Sequence, residues 1–324
     1  MPSELITRNR TLDQLKGFAI LGMVFFSILL RITKELPDFL THNVAGAVHM
    51  GDFVLSIFVF ASGISTAFFM SKRIKNSTLV LDIIERFAML AGISIMLSLF
   101  SSGAFFGMDE VMLIALMFIL SSLFFYFSSY LNVIVSVLLT FVYYILVSKF
   151  GVAIFDSAYI GGYNGALFYL PLSLAGLVIG KGLVKNDKSS FKEVFVSSLA
   201  IFLITLLIFS IDKMRVSPSF IQLSAVFGVL CYAAFDRVKR VSKLSSILEY
   251  LGRNSLRYWI LMFTLFLIPV SLYEIQMFSI KIFDWSTAIL VSFLLLVLFV
   301  LISFAIDKLG LILKTHKNLT SKQP

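Results

Sequence analysis

Apolar runs of about twenty residues recur along the whole chain, separated by short polar segments. A run of this length crosses the hydrocarbon of a bilayer as a helix, because a helix satisfies its own backbone hydrogen bonds in lipid. The runs lack the alternation of polar and apolar residues that a transmembrane barrel requires. The pattern therefore predicts an all-α, polytopic membrane helix bundle of about ten spans, near residues 17–33, 52–71, 78–100, 109–128, 131–149, 166–183, 193–211, 218–235, 255–275 and 285–306. In the sixth span, Gly176 and Gly180 form a small-xxx-small pair, which favours close packing against another helix.

The composition excludes a soluble protein. Hydrophobic residues make up 59% of the chain and charged residues 14%, whereas a soluble domain has about 25% charged residues. We expect a single domain over residues 1–324, with a cytoplasmic segment at about 1–16, an uncleaved first helix and a cytoplasmic tail at 307–324. Cys231 is the only cysteine, so no internal disulfide and no cysteine-based metal cluster can form, and no other metal-ligand spacing occurs.

The formal net charge of +9 is distributed according to membrane topology. With the N-terminus inside, most basic residues fall in the predicted inner segments, and the outer segments hold only Arg31, Lys34, Lys149, Lys213, Arg215 and Lys281. This bias follows the positive-inside rule for ten spans with both termini cytoplasmic. We therefore assign the lipid bilayer as a partner, assign no nucleic-acid partner, and predict a multi-pass integral membrane protein.

Basic residues cluster at the inner ends of the first three spans. Arg10, Asp13 and Lys16 share one helical face, and Lys72 and Arg73 follow in the next inner loop. These cations are suited to binding phosphates. The alternative interpretation of the first face is an interfacial ladder of ion pairs that fixes topology.

The first outer loop contains two of the three histidines, His42 and His49, and Asp52 follows at the start of the second span. Near neutral pH a histidine can act as a general base, a general acid or an acyl acceptor. Asp52 can cap the second helix or orient a histidine, and these two roles are compatible.

Two further regions carry polar side chains of open interpretation. In the third span, Arg86 either pairs with Asp82 four residues earlier or extends to the inner interface. In the outer loop before the sixth span, Tyr159, Tyr163 and Asn164 suit a sugar or a small polar acceptor. The same aromatic residues are also typical of an interfacial belt.

The beginning of the chain resembles a known family. The segment from Arg10 through Asp13, Lys16 and Gly17 to Phe-Ala-Ile-Leu-Gly-Met-Val is similar to the first helix of the heparan-alpha-glucosaminide N-acetyltransferase family and its prokaryotic transmembrane acyltransferase relatives, where arginine commonly stands at Lys16. The run from Asp52 to Gly63 resembles the family pattern Asp-Leu-Val-Phe-Pro-x-Phe-x-Phe-x-x-Gly, with Ser56 in place of the proline.

Several positions of this chain match positions where the family carries its site residues. His42 stands ten residues before Asp52, which is the spacing of the family's catalytic histidine. Arg86 falls where relatives carry an arginine early in the third helix. Ser27 is a departure, since relatives tend to carry asparagine or histidine there, and Arg31 follows one turn later. Weaker similarities occur at Ser217–Phe220 and Gly252–Leu256.

The resemblance implies an acetyl-CoA-dependent N- or O-acetyltransferase. His42, Asp52 and Ser27 would be catalytic, with His42 as base or acyl carrier. Acetyl-CoA, as donor substrate, would bind Arg10, Lys16, Lys72, Arg73 and Arg86. An extracytoplasmic amino sugar or other envelope acceptor would bind Arg31, His49, Tyr159, Tyr163 and Asn164.

Two other functions remain open at this stage. One is a small-molecule transporter or flippase without chemistry, which would carry polar groups near the membrane centre and broken helices in matching halves. The other is an acyltransferase-like scaffold without activity, suggested only by Ser27. A homodimer is also left open, and the resemblance to prokaryotic relatives places the protein in a prokaryotic plasma membrane.

Overall fold

The computed structural model describes residues 8–41, 48–102, 109–151, 162–238, 243–270 and 283–320, and the side chains within these ranges except those of 101–102, 162–163, 238, 243 and 310–320. All regular elements in these ranges are helical, and the one β-bridge joins Thr33 to Phe283. The expected all-α class is therefore confirmed.

Twelve α-helices form these ranges. They are α1 (Arg10–Ile32), α2 (Asp52–Arg73), α3 (Leu79–Ser102), α4 (Glu110–Phe124), α5 (Ser129–Phe150), α6 (Gly162–Ala166), α7 (Leu170–Val184), α8 (Ser189–Leu206), α9 (Pro218–Val238), α10 (Lys243–Arg253), α11 (Ser255–Met262) and α12 (Trp285–Thr320). Short 3₁₀ turns cover Asp38–Leu40 and Leu167–Tyr169, and a π-helical turn, Phe263–Leu267, continues α11.

Eight helices in the described ranges are long and apolar enough to cross a membrane. The predicted spans near 109–128 and 255–275 coincide instead with two shorter apolar helices, Glu110–Phe124 and Ser255–Val270. The chain is therefore an integral, multi-pass membrane protein.

Helices α2 and α7 form the centre of the bundle. Of the most apolar residues of α2, and of the stretch Asn164–Val184 that ends with α7, 78% are buried. The corresponding share is 17–22% for α3, α5, α8 and α12. A Cβ atom at Gly63 would overlap the carbonyl oxygen of Ser173, and one at Gly176 would overlap that of Phe60. Gly180 likewise lies against the backbone of Ile64. The close packing expected at Gly176 and Gly180 is confirmed, and its partner is α2.

Helix α10 crosses α1 near its beginning. A Cβ at Gly17 would overlap the carbonyl oxygen of Leu248, and one at Gly252 would overlap that of Asp13. Gln14 on α1 also donates to the Ser245 hydroxyl, at 2.5 Å. These contacts bring the junction of α10 and α11 next to the first turns of α1.

Candidate functional site

A cavity of about 630 Å³ lies among α1, α2, α3, α4 and the α10–α11 junction. Along α2 its wall extends from Arg73 to Phe58, a distance of about 22 Å at 1.5 Å per residue. We call the end near Arg73 the mouth, because the side chains of Arg8, Arg73, Arg253 and Arg257 that line it are 39–56% exposed. The opposite end, near Glu110 and Val111 at the start of α4, is the deep end.

Carboxylates neutralise and position the four arginines at the mouth. Asp13 accepts two hydrogen bonds from Arg8, at 2.6 and 3.2 Å, and lies 3.6 Å from Arg253. Asp13 is 5% exposed, so one buried carboxylate joins the N-terminal segment to the end of α10. The structure thus ties Asp13 to Arg8 and Arg253 rather than to an intrahelical ladder with Arg10 and Lys16.

The last helix fixes the far side of the mouth. Asp307 on α12 pairs with Arg257 and accepts a 2.7 Å hydrogen bond from the Tyr250 hydroxyl. The Tyr250 ring stacks on Phe304 with centroids 4.0 Å apart. These contacts hold the helix break at Asn254, which separates α10 from α11, in one position.

Lys16 and Arg86 differ from the arginines of the mouth. Both line the cavity and are half-buried, and neither lies within ion-pair distance of a carboxylate in the part of the chain that the structure describes. Arg86 instead lies over the rings of Phe69 and Phe118, 5.1 and 5.0 Å from their centroids. Asp82, the local partner considered for Arg86, pairs with Arg73 at 2.9 Å. Both cations therefore face the cavity without an ion pair among the described residues, although the Asp13 carboxylate acts on Lys16 at longer range.

The indole of Trp259 also belongs to the cavity wall. Trp259 is 4% exposed, and its Nε1 is buried with no hydrogen-bond partner among the described residues. A buried donor without a partner costs free energy of about 1–3 kcal/mol. Because this Nε1 atom is itself buried, Trp259 contributes its ring and not an open donor to the cavity wall.

The opposite end of the bundle contains a second polar cluster, around Asp52. The Asp52 carboxylate is fully buried, lies 3.5 Å from the Lys213 ammonium, and accepts a 2.9 Å hydrogen bond from the backbone N–H of His49. Burial lowers the pKa of the Lys213 ammonium, and Asp52 and then Glu110 oppose part of this effect. Asp52 thereby fixes the end of the loop that precedes α2 and the position of a buried lysine.

The His49 ring is held by the same loop. Its Nδ1 lies 3.0 Å from the carbonyl oxygen of Thr41, a group that only accepts, so this contact assigns the ring proton to Nδ1. His49 is half-buried and lies outside the cavity wall.

The structure brings together only part of the predicted site. Lys16, Arg73 and Arg86 line the cavity, whereas Arg10 and Lys72 are exposed outside it, Arg10 lying 4.0 Å from Glu249. Ser27 and Arg31 are half-buried on α1 and do not line the cavity either, and Asn164 is exposed on the short helix α6. His42, Tyr159 and the side chain of Tyr163 lie outside the described residues.

Sequence reasoning missed several residues of the cavity and its supports: Glu110, Lys213, Arg253, Arg257, Trp259 and Asp307. Two of them carried a usable signal. Lys213 is a lysine in a predicted outer segment, against the positive-inside bias, and Arg257 lies within a predicted span, where a charge is costly.

No protein-family model matches the chain, and no curated protein sequence matches it. The resemblance to the heparan-alpha-glucosaminide N-acetyltransferase family therefore stays a prediction.

Proposed function

We propose that this protein is a membrane-embedded acetyltransferase that moves an acetyl group from cytoplasmic acetyl-CoA to an extracytoplasmic amino sugar or other envelope acceptor. In this proposal the chain makes ten spans with both termini in the cytoplasm of a prokaryote, and the mouth of the cavity opens to the cytoplasm. The proposal combines the family resemblance with the charge and shape of the cavity.

The observation that carries the proposal is that two cations in the wall of a deep cavity, Lys16 and Arg86, form no ion pair among the described residues. Two like charges away from bulk water destabilise the protein unless an anion lies between or beside them. A phosphate group supplies that anion, and lysine and arginine are the side chains that bind it. The mouth adds four arginines, whose carboxylate partners hold them around the opening.

The shape of the cavity suits a donor with a charged head and a thin, mostly uncharged arm. Beyond Lys16 and Arg86 the wall is largely apolar, with Phe58, Ile114 and Met23 among its residues. The phosphates of acetyl-CoA would stay near the cations, and the arm would carry the thioester toward the deep end.

The proposed acceptor site is supported by the family resemblance and by the hydrogen bond that anchors the outer loop. Asp52 holds the backbone of His49, seven residues after His42, which the resemblance assigns as base or acyl carrier. Asp52 would thus position the catalytic loop through its backbone, in addition to any contact with the His42 ring.

Two measurements on the purified protein test the proposal. Acetyl-CoA is expected to raise the melting temperature, because a ligand that binds only the folded state stabilises it. Labelled acetyl is expected to move to glucosamine, used as probe acceptor, and His42→Ala is expected to abolish this transfer. An absence of transfer, or transfer at the wild-type rate by His42→Ala, would contradict the enzyme.

A transporter without chemistry is the second candidate function. The break at Asn254 lies in the cavity wall, and broken helices that line a cavity are typical of transporter binding sites. A transporter would bind its substrate without cleaving a thioester. The transfer assay distinguishes the two functions, since only the enzyme releases free thiol.

A further inference from the structure

A carboxylate, Glu110, lies at the deep end of the cavity, opposite the arginines of the mouth. Glu110 is the first residue of α4, where a negative charge is commonly explained by its favourable interaction with the helix dipole. That explanation is insufficient here, because the preceding residue already caps the helix. Asp109 Oδ1 accepts the Met112 N–H at 2.7 Å and the Ser94 hydroxyl at 2.6 Å. Glu110 is therefore available for another role.

The surroundings of Glu110 are apolar on the cavity side and charged on the other. Val111 and Ile114, which follow Glu110 on α4, line the cavity, and so does Phe58 on α2. The Lys213 ammonium interacts electrostatically with the Glu110 carboxylate and is itself held by Asp52 at 3.5 Å. An ionisable side chain in such a place within a membrane bundle marks a functional site by default.

We propose that Glu110 is the proton donor to the departing thiolate when the acetyl group leaves acetyl-CoA. This inference rests on the proposed function, in which the phosphates lie near Lys16 and Arg86 and the thioester lies at the deep end. At the deep end, Glu110 is the only acidic residue among the described residues of the cavity wall. The other two acidic residues of the wall, Asp82 and Glu85, lie on α3 near Arg86.

Either the acceptor's nitrogen or oxygen, which gives its proton to the His42 ring, or the neutral His42 ring itself forms a bond to the acetyl carbon, and the bond between that carbon and sulfur breaks. The sulfur takes the electron pair of the broken bond and the proton of Glu110, leaving as a thiol. The ionised Glu110 then interacts with the Lys213 ammonium until it takes up a proton through the open cavity. This role is the same for direct transfer and for an acetyl-histidine intermediate, because the thiol departs in both.

The test compares two donors whose leaving groups differ in how much they need a proton, and each variant is compared with wild type on the same donor. For Glu110→Gln we expect transfer from acetyl-CoA to glucosamine to fall about 100-fold or more, the range typical of a lost general acid. Transfer from 4-nitrophenyl thioacetate is expected to stay within about 3-fold of wild type, because its thiolate is stable without protonation. Glu193→Gln, the same change at an exposed residue of α8, should leave both rates unchanged.

The outcomes separate this role from a structural one and from the proposed function. An equal fall with both donors would mean that Glu110 supports the fold or binding, and unchanged rates with both would mean that it has no role. Either result overturns the inference but leaves the acetyltransferase standing. If wild-type protein cleaves neither donor, the proposed function fails and the inference fails with it. The melting temperature of Glu110→Gln, with and without CoA, verifies that the variant folds and binds.

Discussion

The Asp52 carboxylate and the Lys213 ammonium lie 3.5 Å apart, and their side chains are 0% and 6% exposed. Asp52 begins α2, and Lys213 lies in the segment between α8 and α9. The pair therefore joins the central helix to a loop more than 150 residues later in the chain.

Replacing one member of this pair is expected to destabilise the protein strongly. Asp52→Asn or Lys213→Met should each lower the free energy of unfolding by about 3 kcal/mol or more, because the remaining charge stays buried without its partner. The double variant Asp52→Asn/Lys213→Met should lose less than the sum of the two single losses. Melting temperatures in one detergent measure the effect, with Lys149→Met, an exposed lysine, as control. Additive losses in the double variant would show that the two charges do not depend on each other.

Replacing Lys16 should change stability and ligand binding in opposite directions. Lys16→Met removes a cation that is repelled by Arg86 and Arg8 and forms no ion pair among the described residues, so the ligand-free protein should be at least as stable as wild type. Its affinity for CoA should fall about 10-fold or more, the value of a charge-assisted hydrogen bond of roughly 1.5–3 kcal/mol.

The measurement for Lys16 is the CoA dependence of the melting temperature. Lys192→Met serves as the matched control, because Lys192 is exposed on α8 and lies outside the cavity wall. A variant that melts lower than wild type yet binds CoA unchanged would assign Lys16 to the fold instead.

The contact between α2 and α7 should tolerate no side chain at its glycines. Gly176→Ala is expected to lower the free energy of unfolding by about 1–3 kcal/mol, since the added Cβ overlaps the Phe60 carbonyl and the helices must separate. Gly92→Ala on α3 is the matched control, because no atom lies within 4 Å of its Cβ. It should be neutral or slightly stabilising, as alanine favours the helix. Equal effects of the two substitutions would mean that α2 and α7 are not in backbone contact.

The start of α12 should depend on pH. Hydrogen bonds from Ser286 and Thr287 lower the pKa of the exposed Asp284 carboxyl from 3.8 to about 2. A carboxyl group whose pKa is lower in the folded state stabilises the fold above its unfolded pKa and loses this effect as the pH falls toward the folded pKa. Amide hydrogen exchange at the first residues of α12, corrected for intrinsic rates, should therefore accelerate between pH 3.8 and 2. Asp284→Asn should remove this pH dependence, and wild-type exchange that shows none would contradict the assignment.

The sequence by itself determined the class of the protein and most of its helices. Apolar runs long enough to cross a bilayer can only be helices there, so the starts of α2, at Asp52, and of α9, at Pro218, were placed correctly. The small residues Gly176 and Gly180 also predicted a close helix contact, because such spacing leaves one face of a helix without side chains.

Only the tertiary structure decided which charges meet. Asp13 could pair with neighbours on its own helix, but α10 crosses α1 at Gly17 and brings Arg253 to it instead. Glu110 had the position of an ordinary helix start until the packing of α4 against α2 and α3 placed it at the end of a cavity. Helical periodicity determines which side chains share one face of a helix. The partners across the bundle depend on crossing angles and rotations, which the close backbone contacts at glycines set and which no local pattern in the sequence records.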